Sequence, residues 1–187
     1  MISKKAKEKN LIPAEYVEVV DSENRPLMVM PREEAHKQGL YQRSVLALVY
    51  DVKNRLLIQK RHQTKKIYPG RWDLSATGHV LAGESSLDAA YRELEEEMGI
   101  VPSRVRLITI IRGSLETNFK FVYLFNAGKT ASPPSPNPGE VEDIAFIGRD
   151  DMDSLVREFP DILTPGLVYF WERRLLFYPP HSSAGLN

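Results

Sequence analysis

Short runs of branched apolar residues alternate with turn-forming segments along this chain, a pattern typical of β-strands. The runs predict strands at residues 15–20, 26–30, 44–52, 56–61, 105–111, 119–125 and 142–147. The first two strands flank DSEN and the next two flank DVKN, and both segments have turn chemistry. Two hairpins are therefore expected in the first third of the chain.

The best-defined helix is predicted at residues 86–98. Ser85 and Asp88 form a capping-box pattern at its start, and Gly99 stands where a helix stop belongs. Its larger apolar residues recur at helical spacing and are expected to form the buried stripe: Leu87, Tyr91, Leu94 and Met98. The other faces of the helix are free to carry charge.

Shorter helices are predicted on either side of this central element. Pro31 can start a short helix that Gly39 ends. Two more are expected at residues 150–158 and 165–176, and Thr164 is a suitable N-cap for the second. The order of strands, one central helix, more strands and then helices predicts a mixed α/β sandwich.

Composition agrees with one ordinary globular domain. Of the 187 residues, 42% are hydrophobic and 27% are charged, and this length suits a single domain with a sizeable core. We expect that domain at residues 11–177, with disordered tails at residues 1–10 and 178–187. The proline-rich segment 131–139 is expected to be an extended loop within the domain.

Charge and cysteine content exclude several classes of function. Lys plus Arg and Asp plus Glu both number 25, so no net field favours binding to DNA or to a membrane. The absence of cysteine excludes disulfides, thiolate metal sites and a cysteine nucleophile. No long apolar run resembles a signal peptide or a membrane span, so a cytoplasmic protein is expected.

Three glutamates on the central helix suggest a metal site. Glu93, Glu96 and Glu97 are related by steps of three and four residues, so they project from one helical face and repel one another. A divalent cation would reverse that penalty, and Mg²⁺ prefers carboxylate oxygens together with substrate phosphates. The alternative is a solvated acidic face, the usual reading of an isolated charge run.

The surrounding sequence favours the metal site. From Gly78 it reads GHVLAGESSLDAAYRELEEEMGI, which matches the Nudix box at every specified position. The fixed positions are Gly78, Glu84, Arg92, Glu93, Leu94, Glu96, Glu97, Gly99 and Ile100. The chain therefore resembles the Nudix hydrolase family. The resemblance implies the Nudix fold, an α-β-α sandwich with a mixed sheet, and a bound Mg²⁺ or Mn²⁺.

Roles follow from positions in the box. The resemblance implies that Glu93 and Glu97 are the main metal ligands, that Glu96 is a ligand or the water-activating base, and that the Gly78 carbonyl contributes. Arg92 would orient Glu84 or a neighbouring carboxylate, although an ordinary helix ion pair is an equal alternative.

A carboxylate must also accept the proton of the attacking water. The candidates are Glu96 and, in the late segment GEVED, Glu140 or Glu142, because Nudix proteins often use an acid from a late loop. For the last two residues an exposed loop charge is the competing interpretation.

Outside the box, YPGRWDLSATGHV and AHKQGLYQRSV resemble Nudix proteins similar to isopentenyl-diphosphate isomerase, a likeness that extends over about residues 15–172. The isomerases carry a catalytic cysteine where this chain has Thr77, and a metal-binding histidine where it has Gln42. Their later acidic pair falls near residues 118–120. His36 and His79 match isomerase metal-binding positions, with structural hydrogen bonding as the alternative.

Basic residues near strand ends and before the box are candidate binders of a diphosphate: Arg43, Arg61, Lys65 and Lys66. Each is also compatible with a solvated surface.

The leading hypothesis is a metal-dependent hydrolase of a nucleoside diphosphate derivative or a related small diphosphate. An isomerase and a catalytically silent nucleotide-binding Nudix module are the alternatives. The expected partner is a small molecule rather than DNA or a membrane, and a homodimer is the candidate assembly.

Overall fold

The computed structural model describes residues 15–130 and 132–177. Within them the strands are β1 (Tyr16–Val20), β2 (Pro26–Pro31), β3 (Gln42–Tyr50), β4 (Leu56–Arg61), β5 (Trp72–Leu74), β6 (Ala76–His79), β7 (Arg106–Ile111), β8 (Lys120–Lys129) and β9 (Val141–Ile147). The helices are α1 (Arg32–Lys37), α2 (Ser86–Met98), α3 (Arg149–Glu158) and α4 (Pro165–Glu172). The predicted tails, residues 1–10 and 178–187, lie outside the described residues.

The main sheet is mixed, as expected. Its strands follow the order β5-β4-β3-β8-β7, with β6 paired to β3 and β9 paired to β4. Only the β3–β8 pair is parallel among the ladders of the described residues. β1 and β2 form the predicted N-terminal hairpin as a separate antiparallel pair.

Helices cover both faces of this sheet because β3 is apolar on both sides. One set of its residues packs with the buried face of α2 (Val45, Ala47 and Val49), and the alternate set packs with α3 and α4 (Leu46, Leu48 and Tyr50). The predicted α-β-α sandwich is therefore confirmed. No helix among the described residues is long and apolar enough to cross a membrane.

Helix α2 has the predicted bounds and caps. Ser85 Oγ accepts a hydrogen bond from the Asp88 N–H at 3.1 Å, and Gly99 adopts a left-handed conformation with φ of 62°. The prediction that Leu87 is buried was wrong, since Leu87 is 42% exposed. It lies in the first turn, ahead of the buried residues, which begin with two alanines and include Leu94.

Two short strands were not predicted. β5 and β6 contain only three and four residues, and the β6 sequence ATGH includes a glycine and polar residues. Their strand conformation comes from pairing with longer strands, β5 with β4 and β6 with β3. This pairing places Gly78 and His79 beside the middle of α2, at Glu93 and Arg92.

Candidate functional site

Arg92 holds the loop after β6 against helix α2. Its Nε and Nη2 donate to both oxygens of Glu84 at 2.8 and 3.0 Å, and Nη2 also donates to the His79 carbonyl at 2.9 Å. Its Nη1 donates to Glu93 at 2.7 Å and to Glu96 at 3.1 Å. Hydrogen bonding to Glu84, followed by the charge of Glu93, raises the pKa of Arg92 above its usual value. The expected contact between Arg92 and Glu84 is thus present.

Glu97 is buried at the centre of the site. It is 6% exposed, and its Oε2 accepts hydrogen bonds from the Thr77 backbone N–H at 3.0 Å and from Gln59 Nε2 at 2.9 Å. Burial raises the pKa of Glu97 to about 7, although these two donors act in the opposite direction. Gln59 was not predicted from the sequence. A polar glutamine directly after the apolar residues LLI of β4 was nevertheless a signal of a buried side chain that needs a hydrogen-bond partner.

Glu93 lies against Gly78. A Cβ atom at position 78 would stand 1.8 Å from Glu93 Oε1, so only glycine leaves room for this carboxylate. Burial raises the pKa of Glu93 to about 8, and the charge of Glu97 adds to this effect. Two neighbouring carboxylates therefore lie in a site that supplies too little positive charge for both.

Glu96 differs from the other two glutamates because its side chain is 57% exposed and contacts Arg92. Within residues 15–130 and 132–177, no three acidic or histidine side chains converge closely enough to enclose a metal ion. Arg92 Nη1 bonds both Glu93 and Glu96 and keeps Glu96 at the outer edge of the site. The predicted ligand set therefore comprises a buried carboxylate (Glu97), a largely buried one (Glu93, side chain 12% exposed) and an exposed one (Glu96).

The residues nevertheless fit a divalent cation. Glu93 and Glu97 offer hard oxygen donors, the kind that Mg²⁺ prefers. Their raised pKa values mean that ionising both is costly unless a positive charge joins them. Gly78 leaves the space that the Glu93 carboxylate occupies.

The side chain of Arg43 is not directed toward the three glutamates of helix α2. Its Nη1 donates to Glu18 at 2.6 Å, and its Nε and Nη2 donate to the side chain and carbonyl of Asn24, both at 2.8 Å. These bonds fasten the N-terminal hairpin to β3. A guanidinium with all these partners has little capacity left for a substrate.

Arg61 contacts strand β5 and the loop that precedes it. Its Nη1 bonds Asp73 at 3.3 Å and its Nε donates to the Ile67 carbonyl at 3.1 Å. Asp73 is close enough to Glu97 that its charge raises the pKa of Glu97. Arg61 is therefore near the buried carboxylates.

Lys65 and Lys66 diverge although they are consecutive. Lys65 forms an ion pair with Glu140, and its charge lowers the pKa of Glu97, so this pair faces the site. Lys66 has a side chain that is 85% exposed and pairs with Glu33 at 2.8 Å. The structure thus brings Lys65, Glu140 and the glutamate site together and leaves Lys66 on the surface.

Comparisons with known proteins agree with this architecture. The NUDIX domain family model matches residues 40–165. An uncharacterized Nudix hydrolase of Pseudomonas aeruginosa is 46% identical over 87 residues, which are 46% of this chain and 52% of that protein. The chain thus spans about half the length of that relative.

Two further comparisons cover most of the chain. An isopentenyl-diphosphate Delta-isomerase of Cutibacterium acnes is 30% identical over 178 residues, 88% of each protein. The crystal structure of DR0079 from Deinococcus radiodurans matches with a TM-score of 0.74 at 19% identity, over 85% of this chain and 98% of that chain, and it shows the same fold. With its intact box, its fold and a family match over more than half of its length, the chain belongs to the Nudix hydrolase family.

Proposed function

We propose that this protein is a hydrolase that uses Mg²⁺ or Mn²⁺ to cleave the diphosphate linkage of a nucleoside diphosphate derivative or a related small diphosphate. The observation that carries the proposal is the burial of Glu93 and Glu97 beside each other and against Gly78, with pKa values of about 8 and about 7. Ionising both carboxyls destabilises the metal-free protein, and a bound cation offsets this cost because it binds the two carboxylates.

Glu93 and Glu97 would hold the cation, with Glu96 and the Gly78 carbonyl as further oxygen donors. When bound, the cation supplies Lewis-acid chemistry, since it neutralises charge on phosphoryl oxygens and makes water easier to deprotonate. Thr77 and Gln59 fix the orientation of Glu97 through their hydrogen bonds to Oε2. Arg92 plays the same positioning role for Glu93.

Hydrolysis forms a bond from the water oxygen to phosphorus and breaks a phosphorus–oxygen bond of the anhydride. Glu96 is the favoured acceptor of the water proton because its carboxylate is the exposed one of the three. Glu140 is the second candidate, although its ion pair with Lys65 must open first. Glu142 is a weaker candidate, because hydrogen bonds from Lys60 and then Gln63 lower its pKa.

The charge of the substrate phosphates would be met by Arg61 and Lys65, which border the buried glutamates. Both residues already pair with acids of the protein, Asp73 and Glu140. A diphosphate can exchange for these pairs, because phosphate oxygens accept the same charge-assisted hydrogen bonds. Arg43 is less suited to this role because Glu18 and Asn24 already bind its guanidinium. Lys66 is less suited because its side chain lies on the surface, 85% exposed.

Similarity to an isomerase over most of the chain raises the alternative of alkene isomerisation. The chemistry at the corresponding positions opposes it, because Thr77 replaces the catalytic cysteine and the chain contains no cysteine at all. Lys120 also stands where the acidic pair of the isomerases falls. The glutamates required for hydrolysis are all present.

A substrate screen tests the proposal directly. Purified protein with Mg²⁺ or Mn²⁺ should release phosphorylated products from at least one of a panel of nucleoside diphosphate derivatives and small diphosphates, measured by chromatography of the products. No turnover of any member, combined with binding of one of them, would favour the silent binding module instead.

The effect of Mg²⁺ on stability should depend on pH. Below about pH 7 both buried carboxyls hold protons that compete with the cation, and above about pH 8 both are ionised. Without a cation, the raised pKa values stabilise the fold at low pH, and this contribution is lost as the pH rises through 7 and 8. We therefore expect the increase in melting temperature caused by Mg²⁺ to grow from about pH 6 to about pH 9. An increase of constant size over that range would contradict the proposed ligands.

A further inference from the structure

Strand β2 forms an open edge of the N-terminal hairpin. It pairs with β1 on one side, and no other strand of residues 15–130 and 132–177 pairs with its second side. The outer edge of β1, in contrast, is occupied. The Val20 N–H donates to the Tyr41 carbonyl at 2.9 Å, and the Ala82 N–H donates to the Tyr16 carbonyl at 2.8 Å. The free edge of the hairpin is therefore that of β2.

The register of the hairpin shows which backbone groups face this free edge. The Arg32 N–H donates to the Glu15 carbonyl at 2.8 Å, so these two residues form a hydrogen-bonded pair. Bonded and non-bonded pairs alternate along an antiparallel ladder, so Met30 is again a bonded position and Val29 is not. The N–H and C=O of Val29 therefore point away from β1. Pro31 takes the next outward position, where its missing N–H breaks no bond to β1.

The free edge is apolar and uncharged. Leu27, Met28 and Val29 are 60%, 56% and 55% exposed, and since successive side chains alternate between faces, both faces of the strand are open here. The β2 sequence PLMVMP contains no charged residue, whereas edge strands are commonly protected by a lysine or another charge. An exposed apolar edge of this kind can accept a further strand.

A second copy of β2 matches this edge in its backbone geometry. Two strands related by a two-fold axis run antiparallel to each other. An axis at Val29 places the outward N–H and C=O of this residue opposite the same groups of its symmetry mate, so two hydrogen bonds can form. Met28 of one copy then lies opposite Met30 of the other, which buries apolar surface on both sides of the axis.

The charges at the two ends of β2 agree with this pairing. Arg25 precedes the strand and Glu33 follows it, so the antiparallel arrangement brings the arginine of one copy toward the glutamate of the other. Their side chains are 74% and 62% exposed. Their ion pairs with Asp21 and Lys66 lie at the surface, where such pairs contribute little and can be exchanged. Opposite charges across the pair favour the antiparallel register.

We propose that this protein forms a two-fold symmetric homodimer in which the β2 strands of two copies pair antiparallel about Val29. The two hairpins then form one four-stranded sheet. The proposal does not depend on the hydrolase function. The dimer contact is nevertheless linked to the box, because β1 accepts the hydrogen bond from Ala82 in the loop that leads into helix α2.

Sedimentation equilibrium of the full chain tests the dimer. At micromolar concentrations the wild type should have twice the mass of one chain. Val29→Lys should weaken the dimer by about a hundredfold or more, because it places two like charges beside each other at the axis. The matched control is Val52→Lys in the turn between β3 and β4, where the valine is 68% exposed, and this variant should remain dimeric.

A disulfide tests the register, and it does so even if Val29→Lys does not fold. The chain contains no cysteine, so Val29→Cys introduces a single thiol. Opposite residues of a hydrogen-bonded antiparallel pair have Cα atoms about 5.5 Å apart, which is within the span of a disulfide. Mild oxidation should convert Val29→Cys to a covalent dimer under conditions in which Val52→Cys stays mostly uncrosslinked.

Three results would overturn the proposal. The first is a wild type that sediments as one chain at these concentrations, which would leave the free edge to residues 1–14 or to a different protein. The second is a dimer that Val29→Lys leaves as tight as in the wild type. The third is equal cross-linking of Val29→Cys and Val52→Cys.

Discussion

Replacing Glu97 with glutamine is expected to lower the rate of diphosphate hydrolysis by about a thousandfold or more, because it removes one of two buried ligands of the proposed cation. The fold should survive, since the glutamine carbonyl oxygen can accept the hydrogen bonds that Thr77 and Gln59 give to Glu97. Above about pH 7 the metal-free variant should even be more stable than the wild type, because a buried charge is gone.

Glu95→Gln is the matched control. Glu95 lies on the same helix, two residues away, but its side chain is exposed and belongs to no part of the site. It should retain wild-type rates in the product-release assay. Hydrolysis by Glu97→Gln at the rate of the control would remove Glu97 from the metal centre.

The second large effect is expected for Gly78→Ala. The new methyl carbon would stand 1.8 Å from Oε1 and 1.9 Å from Cδ of Glu93, far closer than atoms can approach. The glutamate side chain is flexible at that end, so it should swing away while the fold is retained. We expect hydrolysis to fall by about a hundredfold or more and Mg²⁺ binding to weaken, with little change in melting temperature.

Gly166→Ala makes the same chemical change in helix α4, where the nearest atom to a new Cβ is Thr164 Oγ1 at 3.9 Å. That variant should keep wild-type hydrolysis in the same assay. If Gly78→Ala also keeps full activity and full affinity for Mg²⁺, the position of Glu93 against Gly78 has no part in catalysis.

Local signals in the sequence were sufficient to predict helix α2 and the box on it. Ser85 and Gly99 fix the two ends of the helix through bonds and backbone geometry that depend only on neighbouring residues. The helical repeat also shows that Glu93, Glu96 and Glu97, at their spacing in the sequence, project from one face of the helix. What spacing alone did not show is that Arg92 binds Glu93 and Glu96 through one nitrogen and leaves Glu96 exposed.

Contacts between distant segments could not be predicted from local signals. Gln59 and Thr77 reach Glu97 from β4 and β6, at separations of 38 and 20 residues along the chain. Arg43 was a candidate for substrate binding because it is basic and near a strand end, but the N-terminal hairpin folds over to hold it. The hydrogen-bond partners of Glu97 and of Arg43 become apparent only when the positions of the strands in the fold are known.

Neighbours across the main sheet were hidden for the same reason. Gln42 and Lys120 are 78 residues apart in sequence and become neighbours only because β3 and β8 pair in parallel. Strand β6, which carries Thr77 and His79, was itself missed since its four residues carry no apolar alternation.

Calorimetric titration of the metal-free protein with Mg²⁺ or Mn²⁺ at about pH 8, where both buried carboxyls can ionise, tests the proposed metal centre most directly. Saturable binding should occur in the wild type and in Glu95→Gln and should be lost in Glu97→Gln. Absence of binding in the wild type, or equal binding in Glu97→Gln, would contradict a cation held by the buried glutamates.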